Sequence, residues 1–222
     1  VGDTFNIFVT IHPEPVGISG VDTICSDLPI TIQLNDQDVS NGMTDITYAW
    51  GAVPNNNVSG EGSGTGNIVQ TLTNTTTGNE NVIYSIIPTS SLASSPGCIG
   101  DTFIYTITVN PEPVLADTSI VVCSNAPIDF VFLSAIPPLN IQVGSWNIID
   151  TIMQAGLVPA NTNLQIAQDS STTTSNLSAI ENDTYTNITN TNLTVTYKVN
   201  PISANGCIGN TFDIVVTILP EP

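Results

Sequence analysis

Gly100-Asp101-Thr102-Phe103-Ile104-Tyr105-Thr106-Ile107-Thr108-Val109-Asn110-Pro111-Glu112-Pro113 is the stretch that decides how this chain folds. Phe103, Tyr105, Ile107 and Val109 alternate with Ile104, Thr106 and Thr108. That two-residue period, rich in Thr and β-branched types, marks a strand with one buried face. Pro-Glu-Pro then stops it, because proline has no N–H to continue a ladder and favours an extended, stiff connection.

Working outward, the same passage is found on either side. Gly2-Asp3-Thr4-Phe5 leads through Ile7, Val9 and Ile11 to Pro13-Glu14-Pro15, and Gly209-Asn210-Thr211-Phe212 leads through Ile214, Val216 and Ile218 to Pro220-Glu221-Pro222. Both motifs shift by 98 and then by 109 residues, and the cysteines obey the same shifts, Cys25 to Cys123 and Cys98 to Cys207. Several motifs sharing two offsets indicate internal repetition. The chain is therefore expected to hold residues 1–15 as the last strand of a preceding repeat, followed by full repeats at 16–113 and 114–222.

Further strands line up between the repeats. Pro29–Leu34 answers Pro127–Phe132, Thr47-Tyr48-Ala49-Trp50 answers Val143-Gly144-Ser145-Trp146, and Val82–Ile86 answers Val195–Val199. Leu139 to Leu157 reads as ambiguous between strand and a short helical turn. Many short strands with turn signals between them predict an all-β fold of tandem Ig-like antiparallel β-sandwiches, joined by short Pro-Glu-Pro linkers.

Composition narrows the function. One Lys, no Arg and 19 acids give a net charge of −18, which excludes the basic footprint of nucleic-acid binding and disfavours anionic lipid. No apolar run is long enough to span a bilayer, so no direct membrane insertion is expected. The chain has no initiating Met, and any secretion signal is expected upstream. None of the four cysteines sits in a Cys-x-x-Cys pair, so structural disulfides in an oxidising, extracellular setting are the better reading. Pairing Cys25 with Cys98 and Cys123 with Cys207 would staple each repeat, each closed loop contributing roughly 4 kcal/mol. The competing pattern joins Cys98 to Cys123 across the linker and leaves Cys25 and Cys207 for neighbouring repeats.

The order Cys25-Ser26, Trp50, Ser63-Gly64-Thr65-Gly66-Asn67 through Asn74, Val82-Ile83-Tyr84, Gly97-Cys98-Ile99-Gly100 and Pro111-Glu112-Pro113 resembles the PKD-like repeat of Bacteroidota surface adhesins, including gliding-motility adhesins of the SprB type. Cys123-Ser124, Trp146, Tyr197 and Gly206-Cys207-Ile208-Gly209 repeat that order. The Trp-Asp-Phe-Gly-Asp-Gly signature of the better-known PKD domain is absent. The resemblance implies an Ig-like sandwich, type IX secretion, a cell-surface location and a role in adhesion or gliding. Asp22-Thr23-Ile24 and Asp150-Thr151-Ile152 also resemble Bacteroidota O-glycosylation acceptors, which makes Thr23 and Thr151 candidates for modification.

Other motifs have plainer readings. Trp50 and Trp146 are expected in the core, two dozen residues after each repeat's first cysteine, instead of serving as sugar platforms. Gly60, Gly62, Gly64 and Gly66 read as a flexible hairpin loop, since a phosphate loop needs a following helix and a lysine. Asp36, Asp38 and Asp45, with Asn35, are calcium candidates because hard cations want several oxygen ligands, against the plainer reading of an acidic solvated loop. Asn-x-Ser/Thr triplets such as Asn74-Thr75-Thr76 carry little information in so Asn- and Thr-rich a chain, and Gln168–Thr194 reads as a decorated loop or a binding feature. His12, the only histidine, reads as a linker residue, so no catalytic constellation and no cofactor is expected. The expectation is a non-enzymatic stalk whose partners are neighbouring repeats of a long chain or filament. The alternatives are a module that binds surface polysaccharide and a filament subunit that donates its first strand.

Overall fold

The alternating stretch after Gly100 is a strand, Phe103–Asn110, and its copy after Gly209 is the strand Phe212–Leu219. A computed structural model describes residues 2–35, 38–41, 43–91, 97–130, 143–161 and 180–221, and the chain divides into two units, Val1–Val109 and Asn110–Pro222. The described residues are all-β, as the turn-punctuated sequence predicts.

In the first unit the strands are β1 (Gly20–Cys25), β2 (Pro29–Ile32), β3 (Ile46–Ala52), β4 (Val58–Ser59), β5 (Ser63–Thr65), β6 (Ile68–Thr71), β7 (Thr73–Asn74), β8 (Glu80–Ser90) and β9 (Phe103–Asn110). They form a sheet ordered β1-β9-β8-β3-β5 and two short antiparallel pairs, β2-β6 and β4-β7. β8 and β9 run antiparallel from Ile86 opposite Phe103 to Glu80 opposite Val109. Gly17 packs on Phe103 and Gly20 on Tyr105, so β1 follows β9 in the same direction. Ile30, Ile32, Val58 and Ile68 of the short pairs meet Tyr48, Val82, Tyr84, Ile86 and Ile107 of the large sheet in one buried cluster. That is the two-layer solution for half-apolar strands.

The second unit contains β10 (Thr118–Cys123), β11 (Val143–Met153), β12 (Leu157–Asn161), β13 (Thr184–Asn187), β14 (Leu193–Ser203) and β15 (Phe212–Leu219). Its sheet is ordered β10-β15-β14-β11, with β12 and β13 paired separately. β10 runs parallel to β15, from Thr118 opposite Ile214 to Cys123 opposite Leu219. β14 runs antiparallel to β15, from Leu193 opposite Ile218 to Val199 opposite Phe212. Phe212, Ile214, Val216 and Ile218 are all buried, with Ile148, Tyr185, Val195 and Tyr197 around them. Lys198, on the opposite face of β14 from Tyr197, donates to both carboxylate oxygens of Asp213 at 3.0 and 3.1 Å.

Several expectations change. The alternation at 3–12 predicts a strand, yet residues 2–16 join no ladder, and Phe5 and Phe8 are 83% and 91% exposed. The physical reason is the missing slot: β9 and β15 each lie between two strands of their own repeat, and 3–12 has no such neighbours. Val143–Met153 is one long strand, which removes the helical reading there, while residues 139–142 of the ambiguous stretch lie outside the described residues. Pro127 makes only an isolated bridge to Thr184, and Val131 and Phe132 lie outside the described residues.

The tryptophans are not counterparts. Trp146 faces Pro201, whose equivalent is Pro88, and Pro88 faces Tyr48. Tyr48 and Trp146 therefore occupy the same place, each edge-on to the phenylalanine of its last strand at 6.4 and 6.1 Å between centroids. Trp50 instead faces Ile86 and stands edge-on to Tyr84, half-buried at the border of the core. Its place in the second unit is taken by Ile148, opposite Val199.

Three buried tyrosines make the cores sensitive to alkali. In the second unit Tyr197 donates to Asp183 Oδ2 at 2.8 Å and takes the Tyr185 hydroxyl proton across 2.7 Å. Burial, chiefly, with the Asp183 carboxylate in addition, pushes Tyr185 up to about 12. Burial raises Tyr197 still further, with Tyr185 and Asp183 adding to it. In the first unit burial, helped by Glu61, raises Tyr84 to about 12. The folded state thus holds neutral phenols where an unfolded chain ionises near pH 10. Their contribution to stability is complete below about pH 10 and is lost as pH rises toward about 12. Urea midpoints should fall steeply between about pH 10 and 12, and ionisation of Tyr84, Tyr185 and Tyr197 should appear together with unfolding. Tyrosinate absorbance equivalent to more than two of the five tyrosines in a fully folded chain at about pH 10.5 would contradict this.

Candidate functional site

Chemistry-bearing side chains gather at the two ends of each last strand, and they do so identically in both repeats. At the proximal end, where the chain enters a repeat, Gly100 N–H donates to the Pro88 carbonyl at 2.9 Å, and Gly209 N–H to Pro201 at 2.8 Å. A Cβ on Gly100 would come within 1.9 Å of the Pro15 carbonyl oxygen, and one on Gly209 within 1.8 Å of that of Pro113. The Gly of Gly-Asp/Asn-Thr-Phe and the last Pro of Pro-Glu-Pro are thus one contact, in which only glycine lets two backbones meet. The second cysteine is held beside it: Cys98 N–H reaches Ser90 Oγ at 3.1 Å, and Cys207 N–H reaches Ser203 Oγ at 3.0 Å. The return bonds run from Ser90 N–H to the Cys98 carbonyl at 3.0 Å and from Ser203 N–H to the Cys207 carbonyl at 2.8 Å.

At the distal end a buried asparagine closes the last strand. Asn74 Nδ2 donates to the carbonyls of Gly78 (2.7 Å) and Val109 (2.8 Å), while its Oδ1 accepts from Thr76 N–H and Oγ1. Asn187 Nδ2 donates to Thr191 (2.8 Å) and Ile218 (2.9 Å), and its Oδ1 accepts from Thr189 N–H and Oγ1. Backbone N–H groups of both asparagines donate at 3.0 Å to the serine after the first cysteine, Ser26 or Ser124. The next residue, Asp27 or Asn125, takes a left-handed turn with φ near 61° or 63°, a conformation that short polar side chains tolerate. Asn74-Thr75-Thr76 and Asn187-Ile188-Thr189 are therefore buried staples with both amide protons committed. Sequence reasoning passed over them; the signal available was that both triplets lie the same distance before a Val-x-Tyr strand.

The cysteines depart from the expected pairing. Cys123 lies opposite Leu219 at the distal end, while Cys207 lies beyond the start of β15, beside Ser203. The eight residues of β15 cover about 23 Å at roughly 3.3 Å per residue, against about 7 Å allowed between the Cα atoms of a disulfide. The first unit repeats this, with Cys25 at the far end of β1 and Cys98 beside Ser90. Cys25–Cys98 and Cys123–Cys207 cannot form. Cys25 and Cys207 are each disulfide-bonded, whereas Cys98 and Cys123 carry free thiols.

The remaining candidates separate. Asp36 lies outside the described residues. Asp38 Oδ2 accepts from Asn35 N–H at 2.7 Å, closing a turn, and Asp45 adopts φ near 59° with its carbonyl bound to Ser91 N–H. Among the described residues no group of three or more His, Cys, Asp or Glu could hold a metal. Thr23 is exposed on β1, but the Thr151 hydroxyl is enclosed and without a partner among the described residues, so Thr151 does not offer its oxygen to a transferase. Both Asp-Thr-Ile tripeptides share a bond from Thr N–H to the preceding carboxylate, at 2.7 and 2.8 Å. Gly64 belongs to β5, close beneath the Trp50 ring, and Trp50 Nε1 donates to the Gly66 carbonyl at 3.0 Å, so this stretch is a packed edge and not a free loop. Of Gln168–Thr194, residues 168–179 lie outside the described residues, and Ile180, Asp183 and Tyr185 are core. In the first unit an open depression of about 480 Å³ is lined by Val53, Pro54, Asn55, Asn57, Asn81 and Ile83. Asn55 and Asn57 there donate to the Glu80 carboxylate at 3.1 and 2.9 Å.

Comparison with known proteins bears on the family. The profile of the PKD-like domain matches residues 22–113 and 143–222. No curated protein matches the chain. Among solved structures, the chicken CNTN1 FN1-FN3 domains share 12% identity over 94% of this chain and 69% of that one, at a TM-score of 0.33. The bradyzoite-specific antigen BSR4 of Toxoplasma gondii shares 11% over 96% and 93%, at a TM-score of 0.22. At such scores neither likeness bears on fold or function.

Replacing Asn187 by Ala should orphan the buried Ile218 carbonyl and the Thr189 N–H, at a cost of about 2–3 kcal/mol in urea unfolding. Asn74→Ala should cost the same in the first unit. A loss below about 0.5 kcal/mol for both would show that these bonds do not secure the last strand.

Proposed function

The chain belongs to the PKD-like domain family, and from that premise we propose that it is a structural segment of a secreted cell-surface adhesin or filament, spacing other parts of a longer chain from the cell. The observation that supports this most is the identical pinning of both last strands: in each repeat the glycine, the last proline and the buried asparagine are occupied in holding the repeat together. Residues 1–15, which carry the same motif with Phe5, Ile7, Val9 and Ile11 exposed, are read as the last strand of a preceding repeat. Disulfide-bonded cysteines favour an oxidising, extracellular setting. No helix among the described residues is long and apolar enough to cross a membrane. Type IX secretion and gliding motility follow only from the resemblance to Bacteroidota adhesins.

A second reading has one observation in its favour, the asparagine-lined depression of the first unit, whose amide and carboxylate groups are the kind that bind sugar hydroxyls. The two readings separate in one experiment. The full 222-residue chain is expected to show no saturable binding to immobilised bacterial or plant polysaccharides. Saturable binding that is lost in an Asn55→Ala, Asn57→Ala variant of unchanged urea midpoint would overturn the spacer reading and make the first unit adhesive.

A further inference from the structure

We propose that each repeat of this protein bears tension along the main chain, and that the parallel pair formed by its first and last strands is the element that carries the load. This rests on the reading of the chain as a spacer, to which it adds a mechanical function and the bonds that perform it. β10 runs parallel to β15 over six paired residues, from Thr118 opposite Ile214 to Cys123 opposite Leu219. In the first unit β1 is hydrogen-bonded to β9 and follows it in the same direction. The other pairs of both sheets, β3 with β5 and β8, β8 with β9, β11 with β14 and β14 with β15, are antiparallel. The parallel pair is thus the exception in each unit, although antiparallel pairing is the commoner and slightly more stable arrangement.

What the exception does follows from where the main chain comes in and goes out. It enters the sheet of each unit at the start of the first strand and leaves it at the end of the last. In a parallel pair those two points lie at opposite ends of the ladder. A pull on them slides one strand along the other, so the ladder bonds stretch together and share the load. A pull on two points at the same end would open the bonds in turn, each bearing the whole force.

The fastenings sit at the points where that load arrives and departs. On the way into the first unit, Ser40 N–H donates to the Val16 carbonyl and Ile18 N–H to the Asp38 carbonyl, both at 2.8 Å, while Asn41 Nδ2 donates to the Glu14 carbonyl at 2.7 Å. The incoming main chain is therefore bonded to residues 38–41 before β1 reaches β9, and a pull on it meets these bonds first. In the second unit Ser124 N–H, just past β10, donates to the Leu219 carbonyl at 3.0 Å, so the ladder extends to the exit. The carbonyls next to each exit, Val109 and Ile218, are the ones held by the buried Asn74 and Asn187. The pins common to both repeats thereby secure the end of the strand on which an outward pull acts.

The test is single-molecule pulling of the full chain in reductant, so that no disulfide shortens the stretched segment. With one handle at the exposed Ala116 and one after Pro222, force acts on β10 and β15 from opposite ends. With handles at Ala116 and the exposed Asn210, it acts on the same two strands at one end. The same-end attachment should unfold the second unit at less than about half the force of the opposite-end one, because the bonds then fail singly and the unfolding rate governs the force. Equal forces, or a higher force for the same-end attachment, would overturn the proposal. The unsubstituted chain, pulled from its termini, should unfold in two events, one for each unit and both above the same-end force. Yielding of either unit at or below that force would overturn it as well. Saturable binding of polysaccharide would refute the spacer reading and leave the ratio of forces unchanged.

Discussion

A half-apolar strand is worth little until it finds two neighbours, and the last strand of each repeat is the element around which everything else is arranged. β15 takes parallel bonds from β10 on one side and antiparallel bonds from β14 on the other, and its four apolar residues complete the buried cluster. Its ends are fixed by backbone groups instead of by charge. At one end a glycine admits the carbonyl of an incoming proline, and at the other an asparagine amide holds the carbonyl of Ile218. The first repeat does the same with Gly100, Pro15, Asn74 and Val109.

The composition makes sense in this light. With one lysine and no arginine, ion pairs cannot organise the loops, and surface pairs contribute little in any case, about 0–1 kcal/mol each. Asn, Ser and Thr instead bond backbone groups that would otherwise be buried unmet. Residues that touch main chain, Gly100 and Gly209, Asn74 and Asn187, are the same in the two halves, as are the core residues Phe103 and Phe212, Val82 and Val195, and Tyr84 and Tyr197, while other core positions change. Tyr48 gives way to Trp146 and Trp50 to Ile148 without loss of the edge-on contact to the last phenylalanine. Buried apolar residues tolerate exchange when shape and volume are conserved across the set.

Much of the fold was legible in the sequence because alternation and spacing are local signals. Phe103 to Val109 and its copies announce a strand, and shared offsets announce the repeat. What failed depended on register or on partners far along the chain. The Trp50–Trp146 match misled because the tryptophans differ by one pleat on the same strand. The cysteine pairing misled because spacing says nothing about which end of a strand a residue occupies. Parallel β10 and β15 put Cys123 at the opposite end from Cys207. The asparagine staples were hidden among many other asparagines, since burial is not visible in composition. The alternation at 3–12 predicts a strand that residues 2–16 do not form, since a pattern becomes structure only where a slot exists.

Hydrogen exchange of the full chain, read peptide by peptide, measures that dependence on a slot most directly, because three copies of one strand sit in it or outside it. Amides of Phe103–Asn110 and Phe212–Leu219 should be among the slowest to exchange, and those of Thr4–Ile11 should exchange at close to the unprotected rate. Strong protection of Thr4–Ile11 in the monomer, or rapid exchange across Phe212–Leu219, would contradict the account.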